Sequence, residues 1–171
     1  MTLNLTIFDR PEVHPDIDKV VGDFTTLLPV ACLPSAGASI ENQVRDVQKE
    51  LASDLEHRAV SAVWVQRELA RLAGTSGVVL PVVFTSALGL SRFDLDGDFM
   101  EYLGGLSQTP QVWLDHQAME RGGGVMLSWD YVSELFPSGM IADMFDAYCS
   151  TVSSLAAFDW SEPFPDLLPP S

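Results

Sequence analysis

Leu3, Leu5 and Ile7 alternate with Asn4 and Thr6 at the start of the chain, a period of two that predicts a half-buried strand over residues 2–8. Residues 9–18 hold two prolines and four carboxylates and read as an exposed loop. Residues 20–32 return to β-branched and apolar character, with Gly22 and Pro29 marking a bend or an edge position. A turn over residues 34–39 leads to Ser39, a good N-cap, and then the period changes. Ile40, Val44, Val47, Leu51 and Leu55 fall at helical spacing and predict a helix with one apolar stripe and one charged face. A second helix is expected over residues 60–72, with Ala62, Val65, Leu69 and Leu72 on its stripe and Gly74 as its stop.

The chain then turns to two strand-like segments with an acidic, Gly-containing loop or lid (residues 91–105) between them. Residues 81–86, Pro-Val-Val-Phe-Thr-Ser, form a short apolar run that stops on two hydroxyls. Residues 108–117 alternate, placing Gln111, Trp113, Asp115 and Gln117 on one face and Val112, Leu114 and His116 on the other. Arg121-Gly122-Gly123-Gly124 reads as the turn of a β-hairpin that returns over residues 125–130. A final helix over residues 139–157 carries Ile141, Met144, Phe145, Tyr148, Val152 and Leu155 on one face. The Pro-rich residues 159–171 have no helical period and read as a linker or tail after a single domain, 1–158. Five or so strands with helices between them predict an α/β layered fold.

Composition narrows the function classes. The formal charge of −15, nine basic side chains against twenty-four acidic ones, argues against a nucleic-acid partner. No apolar run approaches the ~20 residues of a membrane span, and no basic, apolar N-terminal segment suggests a signal peptide. Cys32 and Cys149 lie far apart, in neither metal nor redox spacing, and imply two buried thiols in a reducing cytoplasm.

The obvious motifs fail on inspection. Asp94-Leu95-Asp96-Gly97-Asp98 opens like a calcium loop, but its glycine falls at the fourth position and its twelfth residue is Gly105. The triple glycine lacks the Lys-Ser/Thr of a phosphate loop. His14, His57 and His116 show no metal-ligand spacing and read as surface or packing residues, so no metal is expected. A hydroxyl at one strand end (Thr85) and a carboxylate in another (Asp115) suit one shared cleft. Pattern alone favours the plainer reading, an ordinary strand threonine and a solvated aspartate.

Resemblance favours the cleft. The strings PVVFTSALG (residues 81–89) and SQTPQVWLDHQ (residues 107–117) resemble the late core motifs of heterocyclization domains, the cyclizing variant of the condensation domains of nonribosomal peptide synthetases. LNLTIFDR, VGDFT, DLEHRAVSAVWVQRELAR and SWDYVSELFPSGMIADMFDAYC resemble further motifs of that family, and the likeness spans roughly residues 2–158. It implies the C-terminal lobe of a chloramphenicol-acetyltransferase-like fold, a mixed β-sheet with helices packed on it, in which two lobes meet at the active-site cleft. Asp18 and Asp23 match the family's DxxxxD spacing by accident, since that carboxylate pair belongs to the N-terminal lobe; Asp23 is expected to fix a local turn. The N-terminal lobe, in cis or in trans, is therefore an expected partner, and Met1 is read as the start of a split or truncated gene.

The resemblance further implies peptide-bond formation between substrates held on the phosphopantetheine of peptidyl or aminoacyl carrier proteins. Cyclodehydration of a Cys, Ser or Thr residue to a thiazoline or oxazoline follows. Asp115 would be the acid/base and Thr85 its hydroxyl partner, with no cofactor bound directly. A carboxyl group suits that role where burial favours its protonated form. The alternative is a non-catalytic lobe that docks carrier protein or a partner lobe. An ordinary acyltransferase of the same fold is disfavoured, because its HHxxxDG string is nowhere in the chain.

Overall fold

The computed structural model describes residues 1–33, 35–89, 104–107 and 109–164. Five strands form one mixed sheet: β1 (Thr2–Phe8), β2 (Thr25–Ala31), β3 (Val82–Ala87), β4 (Leu114–Arg121) and β5 (Gly124–Tyr131), in the order β2-β1-β3-β4-β5. The central pairs β1–β3 and β3–β4 are parallel, and the outer pairs β1–β2 and β4–β5 are antiparallel. The sheet and its helices make the expected α/β layers. Pro29 is accommodated because β2 is an edge strand, where a missing N–H need not interrupt a second ladder. Before β2, the Asp23 carboxylate accepts from the Thr25 amide at 2.8 Å and fixes the turn expected there. That bond also holds the Asp23 carboxyl below its ordinary pKa.

Of the two inter-strand helices, the first starts at Ser39 and the second stops at Gly74 as the pattern indicated, while the second begins at Ala62, two residues later than expected. In α1 (Ile40–Glu56) the Ser39 hydroxyl accepts from the Asn42 amide, and in α2 (Ala62–Ala73) the Ser61 hydroxyl accepts from that of Trp64. Gly74 ends α2 at φ 65°, a left-handed conformation that a Cβ would penalise. Gly122 and Gly123, at φ 55° and 77°, form the two-residue turn between the paired Arg121 and Gly124, which matches the right-handed twist of β4 and β5. The last helix, α3 (Met140–Ser154), passes into a 3₁₀ turn at Leu155–Ala157.

Two strands depart from the expectation: β2 begins at Thr25 and not at residue 20, and the next departure is larger. Residues 108–117 were expected to be extended, yet β4 begins only at Leu114 and runs on to Arg121. Pro110 has no amide to donate, and Gln111 takes a left-handed φ of 69°, so residues 109–112 turn instead, closed by Val112 N–H to the Thr109 carbonyl at 3.2 Å. The alternation of Leu114 and His116 against Asp115 and Gln117 survives, because those residues are inside β4. The acidic loop and the calcium-like string lie, but for residues 104 and 105, outside the described residues.

The helices pack on one face. Leu28 and Val30 are the buried residues of β2, which contacts α1 and α2. They share their face of the sheet with Leu5, Phe84, His116 and Trp129, and α3 covers the last two. The stripes are only partly used. Ile40 is fully buried, but Val44, Val47 and Met144 keep 44%, 48% and 46% of their surface in solvent. Residues 159–164 stay against the fold: the carbonyls of Glu162 and Trp160 accept the Ile40 and Glu41 amides at 2.8 and 2.9 Å, two of the orphan donors that open α1. Cys32 and Cys149, expected to be buried, are half-buried and unbonded to each other.

Candidate functional site

The other face of the sheet is polar in two adjacent rows. Strand register runs Asn4, Val83, Asp115, Asp130 in one row and Thr6, Thr85, Gln117, Ser128 in the next. Side chains opposite each other in register leave the same face, so Thr85 and Asp115 share a surface as diagonal neighbours on β3 and β4. The two residues therefore share one face of the sheet, although only Asp115 is among the described residues that line the cleft there.

Each polar group has a definite environment. Thr85 Oγ1 is 2.8 Å from Thr6 Oγ1, which ties the threonine hydroxyl to β1. Asn4 is 4% exposed and donates from its amide nitrogen to the Leu80 carbonyl at 2.9 Å. Asp115 is 7% exposed, so the solvated aspartate of the plainer reading is not what the fold provides. Its Oδ2 accepts from the Gln117 amide at 3.3 Å, and its Oδ1 is buried with no partner among the described residues. A cleft of about 440 Å³ opens beside it, lined also by Asp130, Ser107, Gln111, Tyr131 and Glu134.

Sequence pattern passed over Asn4, Thr6 and Asp130. Each sits at a polar position of a period-two strand, which normally marks a solvent face. The signal that finds them is register: only when β1, β3, β4 and β5 are laid side by side do the polar positions form rows.

His116 points the opposite way and is a packing residue. Its ring lies 4.7 Å from that of Phe84 and 5.1 Å from that of Tyr148, and its Nε2 shares a 3.0 Å hydrogen bond with the Tyr148 hydroxyl. Burial lowers its pKa from the ordinary 6.5 or so, more than the nearby Asp115 charge raises it. Burial also pushes the Tyr148 phenol up. The sign of the resulting pH dependence is set. The unfolded chain takes up a proton as pH falls through about 6.5, while the folded chain resists it, so His116 costs stability on the acid side. Between about pH 7 and about pH 5 the melting temperature should fall more steeply for the native chain than for His116→Phe. Parallel slopes in thermal melts of the two proteins would contradict this.

No protein-family model matches the chain. Whole-chain comparisons do. The chain superposes on the EpoB cyclization-docking bidomain of a nonribosomal peptide synthetase from Sorangium cellulosum with a TM-score of 0.77 and 36% identity, covering 94% of this chain and 33% of that one. It is 41% identical over 167 residues to pyochelin synthetase PchE of Pseudomonas aeruginosa, covering 94% of this chain and 11% of the synthetase. It is also 41% identical over 174 residues to phenyloxazoline synthase MbtB of Mycolicibacterium paratuberculosis, covering 98% and 15% respectively. The chain thus spans well under half the length of the relatives it matches.

A mixed five-stranded sheet with helices on one face and a polar cleft on the other is one lobe of a condensation-domain fold. Within that superfamily, the chain matches the cyclization domains of nonribosomal peptide synthetases over nearly its whole length, as one lobe of them.

Proposed function

We propose that this lobe serves a heterocyclization site that joins two carrier-bound substrates and closes a Cys, Ser or Thr residue into a thiazoline or oxazoline. The observation that carries the reading is the buried Asp115 beside an open cleft, with the hydroxyl of Thr85 on the same face of the neighbouring strand. The similarity to a phenyloxazoline synthase supports it. Partners are the carrier proteins, whose phosphopantetheine arms bring the thioesters, and the N-terminal lobe, which supplies the opposite wall.

The chemistry needs a group that handles protons in two directions. The acceptor amine attacks the donor thioester carbonyl, and the donor thiol leaves. The acceptor side chain then adds to the new amide carbonyl to give a tetrahedral hemiaminal. Water is lost when the C–O bond breaks with a proton delivered to oxygen, while the nitrogen gives up a proton and the C=N bond forms. In this reading Asp115 passes those protons as acid and base. In the same reading Thr85, whose hydroxyl bonds that of Thr6, hydrogen-bonds the departing oxygen or holds the acid in position. No atom changes oxidation state, so the proposal requires no directly bound cofactor.

The test is intact-mass analysis of carrier-bound product from the complete two-lobed domain, where ring closure reads as loss of one water. Thr85→Ala should slow dehydration by about tenfold and leave amide formation near the native rate, since a water can partly replace the hydroxyl. A native domain that makes only the linear amide would overturn the heterocyclization reading. So would a Thr85→Ala variant that slows amide formation and ring closure alike.

A further inference from the structure

Asp115 and Asp130 are directly opposed across β4 and β5, so their side chains leave one face about 5 Å apart at Cβ. Both line the cleft, as does Glu134, and among the described lining residues there is no lysine, arginine or histidine. Like charges so placed repel, and what holds them is uneven. Asp130 Oδ2 accepts the Ser107 amide at 2.7 Å. Asp115 Oδ2 has the long 3.3 Å contact to Gln117, and its Oδ1 is buried without a donor. A buried carboxylate oxygen left without a donor is costly, and a cationic donor entering the cleft would relieve both that cost and the repulsion.

A metal ion does not fit this donor set. Hard divalent cations take about six or more oxygens, and the described residues contain no cluster of three or more candidate ligands. A primary ammonium asks for fewer acceptors, and the two carboxylates that line the cleft, Asp115 and Asp130, can supply them. We infer that the cleft between Asp115 and Asp130 binds the protonated α-amine of the acceptor aminoacyl group, with Asp130 as the residue that recognises its charge. This inference rests on the heterocyclization reading and gives the site a substrate-binding residue. It also orders the two steps at Asp115. The bound ammonium first gives its extra proton to water in the open cleft, and the neutral amine attacks the thioester, one N–H proton leaving with the thiol. The amide nitrogen is then neutral, the attraction ends, and Asp115 is released to act on the hemiaminal.

The complete domain, with donor loaded on its carrier, is titrated with aminoacyl carrier, and linear and ring products are counted separately. Asp130→Asn keeps an oxygen for the Ser107 amide and removes the charge. It should raise the acceptor KM by about tenfold or more while leaving the ring-to-linear ratio unchanged. An acceptor KM within about twofold of native would overturn the inference and leave the heterocyclization reading standing, since ring formation by the native domain is counted separately. Independently of how that variant folds, seryl-pantetheine amide should inhibit the native domain about tenfold better than its α-hydroxy analogue, which lacks the ammonium. Equal inhibition by the two would overturn the inference as well.

Discussion

Asp115→Asn in the complete two-lobed domain is expected to leave linear amide on the carrier and to lose the ring. Asparagine keeps the size of the side chain and an oxygen for the Gln117 amide, so the cleft should persist. What it removes is the capacity to give and take a proton. Attack of a free amine on a thioester needs no such relay, and Asp130 keeps the charge that draws the ammonium in, whereas the hemiaminal must protonate its leaving oxygen and deprotonate its nitrogen. General acid–base catalysis contributes roughly 10²- to 10⁴-fold, so ring closure should fall by at least about a hundredfold. Single-turnover mass analysis, following linear and dehydrated species separately, gives the two rates. Native-like dehydration by this variant would remove Asp115 from the mechanism and leave it a buried structural carboxylate.

The second large effect concerns these 171 residues by themselves, which should fold and yet turn over no substrate until an N-terminal lobe is added. Folding is supported by agreement between levels. Ser39, Ser61 and Gly74 cap the helices, the Gly122–Gly123 turn sets the hairpin, and the aromatic cluster around His116 joins α3 to the sheet. The proposed reaction requires water to be excluded from the hemiaminal and two pantetheine-bound substrates to be held together, and a single wall would do neither. The apolar residues left in solvent add a second readout. Trp64 and Leu72 on α2 keep 59% and 69% of their surface exposed, which favours self-association. Light scattering should therefore show concentration-dependent mass for the lobe alone, and product should rise from background only when the partner lobe is supplied. Ring formation by the purified, monomeric lobe would refute the two-wall account.

Local rules were enough for much of this molecule. Ser39 before an i, i+3, i+4 apolar pattern can hardly be anything but a helix start, because its hydroxyl satisfies an amide that would otherwise be orphaned. Gly74 and the Gly122–Gly123 pair are equally local, since only a residue without Cβ takes those positive φ values cheaply. The motif strings brought Thr85 and Asp115 forward for the same reason, as short contiguous stretches read without knowledge of the rest of the chain.

Three matters lay beyond such reading. Pro110 and Gln111 sit in a stretch that alternates as a strand should, yet the backbone turns there. Alternation records which way side chains point and not whether an amide is present to bond. Asn4 and Thr6 alternate as solvent-facing residues do, yet Asn4 is buried, because the parallel pairing of β1 with β3 brings that side of the strand into the site. Asp130 gains its place beside Asp115 only through the hairpin register, where a slip of one residue would have sent its side chain to the opposite face. Caps, turns and strand character depend on neighbours within a few residues and were determined by the sequence alone. The polar rows depend on hydrogen bonds between segments up to about eighty residues apart, as with Thr6 and Thr85, and only the tertiary structure decided them.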